Sequence, residues 1–131
     1  MNIAWFASSL VSSYWNGAAT YYRGLVRALH DRGHRVAFLE PDAYGRQQRR
    51  DIDDPEWADV VVYAPERWRE ALSRARGAEV VVKASGVGVC DEELEAGVLE
   101  LAAPVSIFWD VDAPATLARL EADEDDALRA R

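Results

Sequence analysis

The residues best suited to chemistry are concentrated near the N-terminus, where positions 8–16 read SSLVSSYWN and Gly17-Ala18-Ala19 follow. The rings of Tyr14 and Trp15 are suited to stacking on the apolar C–H face of a sugar. Asn16 is a good N-cap, and free N–H groups at a helix start made of small residues attract phosphate or carboxylate. We therefore predict a binding loop here. The alternative is that Trp15 packs back over the helix as a hydrophobic staple.

A second stretch, KASGVGVCDEE at 83–93, contains a small and flexible turn at Ser85–Gly88. Its N–H groups could bind an anion or a hydroxyl-bearing ligand. Equally, the glycines could serve a tight turn that needs positive φ. Lys83 is either a ligand-facing cation or an edge residue, and Cys90, which has no nearby His, is interpreted as a small buried thiol.

A third stretch, FWDVDAPAT at 108–116, places Asp110 and Asp112 one residue apart. Two carboxylates at this spacing can hold a divalent ion together with a diphosphate. Alternatively, Asp110 is a general base or hydroxyl acceptor at the end of a strand. Because Pro114 marks a helix start, Asp112 is also a candidate N-cap.

Several common nucleotide motifs are absent from the sequence. The segment that joins the first apolar run to the first helical pattern contains a single glycine, Gly17, so the Gly-x-Gly-x-x-Gly turn of dinucleotide-binding proteins is missing. No Walker A lysine motif is present either. Glu40 occupies the place of a ribose-binding acid, but alone it indicates no more than an acid at a strand end. Ala7-Ser8-Ser9 stands where a receiver domain would carry acidic residues.

Composition limits the class of protein further. The 131 residues carry a formal net charge of -8, which argues against nucleic acid as a partner because phosphate binding needs a basic surface. The single cysteine excludes an internal disulfide. We find neither a signal-peptide pattern nor an apolar run long enough to span a membrane, and therefore expect a soluble, cytoplasmic protein.

Short apolar runs alternate with helical patterns, which predicts an α/β domain. We predict four helices, over 17–32, 65–77, 91–103 and from 112 onward. Near-continuous hydrophobicity indicates strands buried on both faces, as in a parallel sheet. The expected fold is one Rossmann-like, three-layer α/β/α domain over 1–131 with a mainly parallel sheet of about five strands. The predicted strands are 2–7, 35–40, 58–64, 78–84 and 104–110.

Ligands of such sheets bind at the carboxyl ends of the strands, near the switch in strand order. This rule selects the loops 8–16, 40–57, 64–66, 85–91 and 110–114. Residues 41–57 lack a clear period and are predicted to form a long polar loop with at most a helical turn.

Three stretches, YWNGAATYYRG (14–24), EPDAYGRQQ (40–48) and FWDVDAPATL (108–117), resemble the N-terminal part of the bacterial CgeB-like (spore maturation protein type) glycosyltransferases. The resemblance implies a GT-B architecture, in which two Rossmann-like domains face each other. The N-terminal domain would then carry the acceptor side. A C-terminal domain would hold most of the nucleotide-sugar donor, with no further cofactor and no need for a metal.

The resemblance implies a nucleotide sugar, a small-molecule or glycan acceptor and a C-terminal Rossmann-like domain as partners, and no nucleic acid. Since two such domains need far more than 131 residues, we expect this chain to be the N-terminal half, inactive by itself. Asp110 is the catalytic candidate. The substrate-binding candidates are Ser9, Tyr14, Trp15, Asn16, Gly17, Thr20, Ser85, Gly86, Gly88 and Asp112.

Two other hypotheses remain open at this point. The first is a stand-alone binding or regulatory module with a flavodoxin-like sheet and no catalysis. The second is a metal-dependent glycosyltransferase that uses Asp110 and Asp112.

Overall fold

The computed structural model describes residues 1–129, and its centre is a five-stranded sheet built from the five apolar runs. Each predicted strand forms at nearly the predicted residues. The three central strands are largely buried, as predicted, but the two edge strands, 59–63 and 105–109, are largely exposed or half-buried, because only one neighbouring strand covers each of them. The strands are β1 (Asn2–Phe6), β2 (Arg35–Pro41), β3 (Asp59–Tyr63), β4 (Val80–Ala84) and β5 (Val105–Trp109).

All neighbouring strands are parallel, in the order β3-β2-β1-β4-β5. The direction of winding reverses between β1 and β4, which is the switch point of a doubly wound sheet. This order matches the first five strands of the Rossmann arrangement and confirms the Rossmann-like prediction. The flavodoxin-like order, 2-1-3-4-5, was the wrong expectation for the alternative hypothesis.

Within residues 1–129, the sheet is flanked by four α-helices, namely α1 (Ala18–Asp31), α2 (Trp68–Arg74), α3 (Asp91–Glu100) and α4 (Ala113–Ala122). The connection from β2 to β3 has only a 3₁₀ turn, Gln47–Arg49, as predicted for a long polar loop. No helix within residues 1–129 combines the length and the apolar character that crossing a bilayer requires.

Alternation along the strands divides the core into two layers. Trp5 on β1 packs with Tyr22 of α1 and Phe38 of β2, with ring centroids 6.0 and 6.4 Å away. On the opposite face, Phe6 lies in a cluster with residues of α2 and α3, including Leu94. The sheet therefore has α1 on one side and α2 and α3 on the other, which leaves the carboxyl edge to the loops.

Candidate ligand-binding cleft

The loops that follow β1, β2 and β4 meet at the carboxyl edge, beside the switch point. Between them lies a cavity of about 430 Å³, which we call the cleft. Its position is the one that the strand-end rule predicts for a ligand. It is lined by Tyr14, Trp15, Tyr44, Arg46, Gly86, Val87 and Gly88.

One wall of the cleft is aromatic. The Trp15 side chain is 83% exposed, so the hydrophobic-staple interpretation is wrong. Tyr14 meets it edge to face, with ring centroids 6.3 Å apart. Trp15 has φ 46°, a left-handed conformation that is uncommon for a bulky residue and costs backbone strain. The exposed ring thus contributes little to the core and is free to contact a ligand.

Arg46 fixes the carbonyl groups behind this wall. Its Nη2 donates to the Trp15 carbonyl oxygen at 3.2 Å, and its Nε donates to the Tyr14 carbonyl oxygen at 3.4 Å. The side chain is buried, and burial lowers the pKa of Arg46 while the nearby Tyr44 and Glu40 act in the opposite direction. Arg46 was not among the predicted site residues. Its signals in the sequence were its place in the strand-end loop 40–57 and in the stretch 40–48 that carries the resemblance.

Tyr44 closes the cleft between the β2 and β4 loops. Its hydroxyl donates to the Gly88 carbonyl oxygen at 2.5 Å. A Cβ on Gly88 would lie 2.8 Å from that hydroxyl oxygen, and Gly88 has φ +95°. Gly88 is thus required both by the close approach of Tyr44 and by its backbone conformation.

The turn after β4 uses its N–H groups internally. Val87 and Gly88 donate their backbone N–H groups to the carboxylate of Asp91, at 3.1 and 2.7 Å. The carboxylate occupies the place that we predicted for a bound anion. Of the two interpretations of this turn, the tight turn with positive φ is the one observed, at Gly86 and Gly88.

Lys83 supports this turn from below. Its side chain is 1% exposed, and its Nζ lies 2.6 Å from Asp91 and 3.8 Å from Glu95. It also donates to the Ala84 carbonyl oxygen at 2.6 Å. Lys83 is therefore a buried and paired cation in a central strand, and both predictions for it, ligand-facing cation and edge residue, were wrong.

Asn16 organises the loop after β1 from inside. Its Nδ2 donates to the carbonyl oxygens of Ser9 and Ser12, both at 2.9 Å, and its Oδ1 accepts from the Ser8 hydroxyl at 2.7 Å. Both amide donors are used, so the side chain positions the loop. The predicted N-cap role is wrong, because Gly17 is the cap and no side-chain cap bond forms.

Glu40 completes this support from the end of β2. The fully buried carboxylate accepts hydrogen bonds from the Ser9 hydroxyl at 2.8 Å, the Leu10 N–H at 2.6 Å and Gln47 Nε2 at 2.6 Å. These bonds occupy the oxygens that a ribose would need. Ser9, a predicted ligand contact, is likewise buried and bonded within the protein.

The loop after β2 is also hydrogen-bonded to the outer side of the loop after β1. Arg23 of α1 makes two hydrogen bonds to Asp51, at 2.8 and 2.9 Å, and Asp51 accepts from the Ser13 N–H at 2.9 Å. The hydrogen bonds from Arg23 hold the pKa of Asp51 well below its usual range, outweighing burial. The Arg49 guanidinium lies 4.3 Å from the centroid of the Tyr14 ring.

Asp110 lies in a different environment. Its carboxylate accepts from Ser85 at 2.8 Å, Thr116 at 3.0 Å and the Asp112 N–H at 3.0 Å. Burial raises the pKa of Asp110, but these hydrogen bonds outweigh it and keep the pKa below its usual value. Asp110 lines another cavity of about 430 Å³, between α3, β5 and α4, and not the cleft.

The remaining candidates are placed as follows. Asp112 caps α4, with its carboxylate 3.5 Å from the Ala115 N–H, as predicted. Gly17 and Thr20 are exposed at the start of α1 but do not line the cleft. Cys90 is half-buried, and burial raises the pKa of its thiol, which therefore stays protonated. Within residues 1–129, no three His, Cys, Asp or Glu side chains converge as metal ligands.

Of the predicted ligand contacts, the structure places Tyr14, Trp15, Gly86 and Gly88 at the cleft, together with Tyr44 and Arg46, which were not predicted. The other candidates do not line it, namely Ser9, Asn16, Gly17, Thr20, Ser85 and Asp112. No protein-family model matches the chain, and no curated protein was found to be similar to it. The functional inference therefore depends on the fold, the cleft and the sequence stretches that form it.

Proposed function

We propose that this chain is the N-terminal, acceptor-side domain of a two-domain, nucleotide-sugar-dependent glycosyltransferase of GT-B architecture. The observation that carries the proposal is the exposed Trp15 ring beside the switch point of a parallel 3-2-1-4-5 sheet. The resemblance noted above supports it, because two of its three stretches, 14–24 and 40–48, supply Tyr14, Trp15, Tyr44 and Arg46 to the cleft.

The chemistry of the cleft suits a carbohydrate. A flat aromatic ring offers stacking to the C–H face of a pyranose, and backbone carbonyls and a guanidinium offer hydrogen bonds at its edge. The volume of about 430 Å³ is in the range of small-molecule sites. In this proposal a second Rossmann-like domain binds most of the nucleotide sugar and closes the open side of the cleft.

The proposal assigns binding to this chain and leaves most of the transfer machinery to the second domain. Asp110 is a poor general base here, because its lowered pKa keeps it ionised and weakly basic. Its hydrogen bonds and the capping role of Asp112 also disfavour a metal-bound diphosphate at this pair. A titration of Mn²⁺ with a nucleoside diphosphate, and loss of that binding in Asp112→Ala, would restore the metal hypothesis.

The first test is binding, followed amide by amide with ¹⁵N-labelled protein. We expect methyl pyranosides and nucleotide sugars to shift the amide signals of residues 14–17, 44–46 and 86–88. Trp15→Ala should abolish these shifts. Tyr21→Ala, which removes another exposed aromatic side chain outside the cleft, should leave them. Absence of any response in the cleft would refute the proposal.

The second test separates a transferase from a stand-alone binding module. The coding sequence downstream of residue 131 is expected to encode a second Rossmann-like half. Protein containing both halves should transfer sugar, and Trp15→Ala should slow the transfer. Transfer by the 131 residues alone would contradict the half-enzyme proposal, and a natural stop with no second half would favour the binding module.

A further inference from the structure

The cleft contains a buried positive charge without a counter-ion. Arg46 is 7% exposed, and its Nη1 has no hydrogen-bond partner among residues 1–129. No carboxylate of the described residues forms an ion pair with it. The contrast is Lys83, the other buried cation, whose Nζ lies beside both Asp91 and Glu95. A buried charge left unpaired is costly, which makes Arg46 unusual within this fold.

Glu40 acts on Arg46 through its charge but makes no ion pair or hydrogen bond with it. Glu40 directs its hydrogen bonds to Ser9, Leu10 and Gln47. Arg49, on the outer side of the aromatic wall, also has no carboxylate partner within residues 1–129. Two arginines at the cleft, Arg46 and Arg49, thus have no directly paired carboxylate among residues 1–129, although the chain has a net charge of -8.

We propose that the cleft binds an anionic sugar, one that carries a carboxylate or a phosphate, with Trp15 stacking on the sugar ring and Arg46 pairing with the charged group. The inference deepens the proposed function, because it names the acceptor class. Arg46 donates to the carbonyl oxygen of Trp15, and both residues line the cleft, so one ligand could reach the charge and the ring together.

Tyr44 is the group that the ligand displaces. Its ring centroid lies 5.0 Å from the Arg46 guanidinium carbon, and it covers the cation in the free protein. The Tyr44 side chain is half-exposed and is held by its hydrogen bond to the Gly88 carbonyl oxygen. An anionic group replaces a cation–π contact with a charge-assisted hydrogen bond, which is the stronger interaction.

The test compares ligands that differ only in charge or in the presence of a ring. We expect methyl glucuronide and glucose 6-phosphate to bind at least about ten-fold more tightly than methyl glucoside, because each adds a charge-assisted hydrogen bond. Raising the salt concentration should weaken the first two selectively. Acetate and inorganic phosphate measure how tightly the cleft binds an anion that has no sugar ring. Comparison of methyl glucuronide with glucose 6-phosphate shows whether the cleft prefers a carboxylate or a phosphate.

Arg46→Gln should abolish the preference for the charged sugars, so that the ratio of the affinities for methyl glucuronide and methyl glucoside falls to about one. Arg50→Gln is the matched control, because Arg50 lies in the same loop but pairs with Asp54 at 2.8 Å. Since Arg46 also supports the loop, Arg46→Lys is made in parallel to retain the charge. Thermal unfolding and the amide spectrum establish that each variant is folded, and Arg46→Lys should retain most of the preference.

Equal affinity for charged and neutral glycosides would overturn the inference. Binding of acetate or phosphate as tight as that of the charged sugars would also overturn it, because the site would then recognise an ion and not a sugar. Binding of charged sugars without transfer by the two-domain protein would refute the proposed function alone. Transfer to a neutral acceptor, with no charge preference, would refute this inference alone.

Discussion

For Trp15, a role in folding and a role in ligand binding predict different effects of mutation on the free energy of unfolding. Because its ring is 83% exposed, Trp15→Ala should change the free energy of unfolding by no more than about 0.5 kcal/mol. Trp15→Gly should increase it by about 1 kcal/mol, because glycine adopts φ 46° without strain. Urea unfolding measures both variants, and a loss of several kcal/mol in Trp15→Ala would mean that the ring belongs to the core.

Tyr63 offers a second test at single-residue resolution. Its hydroxyl is buried and has no hydrogen-bond partner among residues 1–129, and burial raises the pKa of Tyr63. Removing an unsatisfied polar group is favourable, so Tyr63→Phe should stabilise the fold by about 1 kcal/mol. Tyr44→Phe is the control with the opposite sign, since it deletes the hydrogen bond to Gly88. Destabilisation by Tyr63→Phe, measured by chemical unfolding, would indicate a partner for the hydroxyl.

Buried hydrogen bonds from polar side chains set the shape of the loop after β1. Glu40→Ala leaves the Leu10 N–H and the Ser9 hydroxyl unpaired inside the protein, and should lower the free energy of unfolding by about 3 kcal/mol. Glu40→Gln retains an acceptor and should cost less. Hydrogen exchange at the Leu10 amide should accelerate in Glu40→Ala, and unchanged exchange would contradict this assignment.

The elements could be predicted from the sequence because each carries its own signal. The β4 segment VVVKA is almost continuously apolar, and Gly33 follows α1 at φ +85°, where a helix commonly ends. The roles of the loop side chains could not be predicted in this way. The hydrogen bond from Ser9 to Glu40 joins residues 31 positions apart, so the partner of either exists only in the fold. Trp15 left two interpretations open for a related reason, because an aromatic ring near a helix start can be buried or exposed and only the fold decides between them.

At the scale of the whole molecule, a few ion pairs join segments that pack on each other only lightly. Arg23 and Asp51 fasten the β2–β3 connection to α1. Arg119 of α4 pairs with Glu95 of α3 at 2.8 Å and with Asp126 beyond α4 at 2.9 Å. Each of these pairs depends on an ionised carboxylate for its attraction to the arginine. Stability should therefore depend on keeping the paired carboxylates ionised.

The dependence on pH follows from Asp51. Hydrogen bonds from Arg23 outweigh burial and hold the pKa of Asp51 well below its unfolded value of about 3.9. The folded state therefore favours the ionised form, so this contribution is fully present above about pH 4 and disappears as the pH falls toward the folded pKa. Asp51 is partly exposed, and solvent screening limits the effect at neutral pH to about 1 kcal/mol.

Asp51→Asn removes this contribution. The difference in the free energy of unfolding between wild type and variant should be largest at neutral pH and should shrink below about pH 4, because Asp51 then takes up a proton in the unfolded state while it stays ionised in the folded state. Asp53→Asn, at an exposed position two residues away, is the control and should show no such dependence. Urea unfolding at a series of pH values measures both. A difference that stays constant down to about pH 2 would mean that Asp51 acts through its shape and neutral hydrogen bonds, and not through its charge.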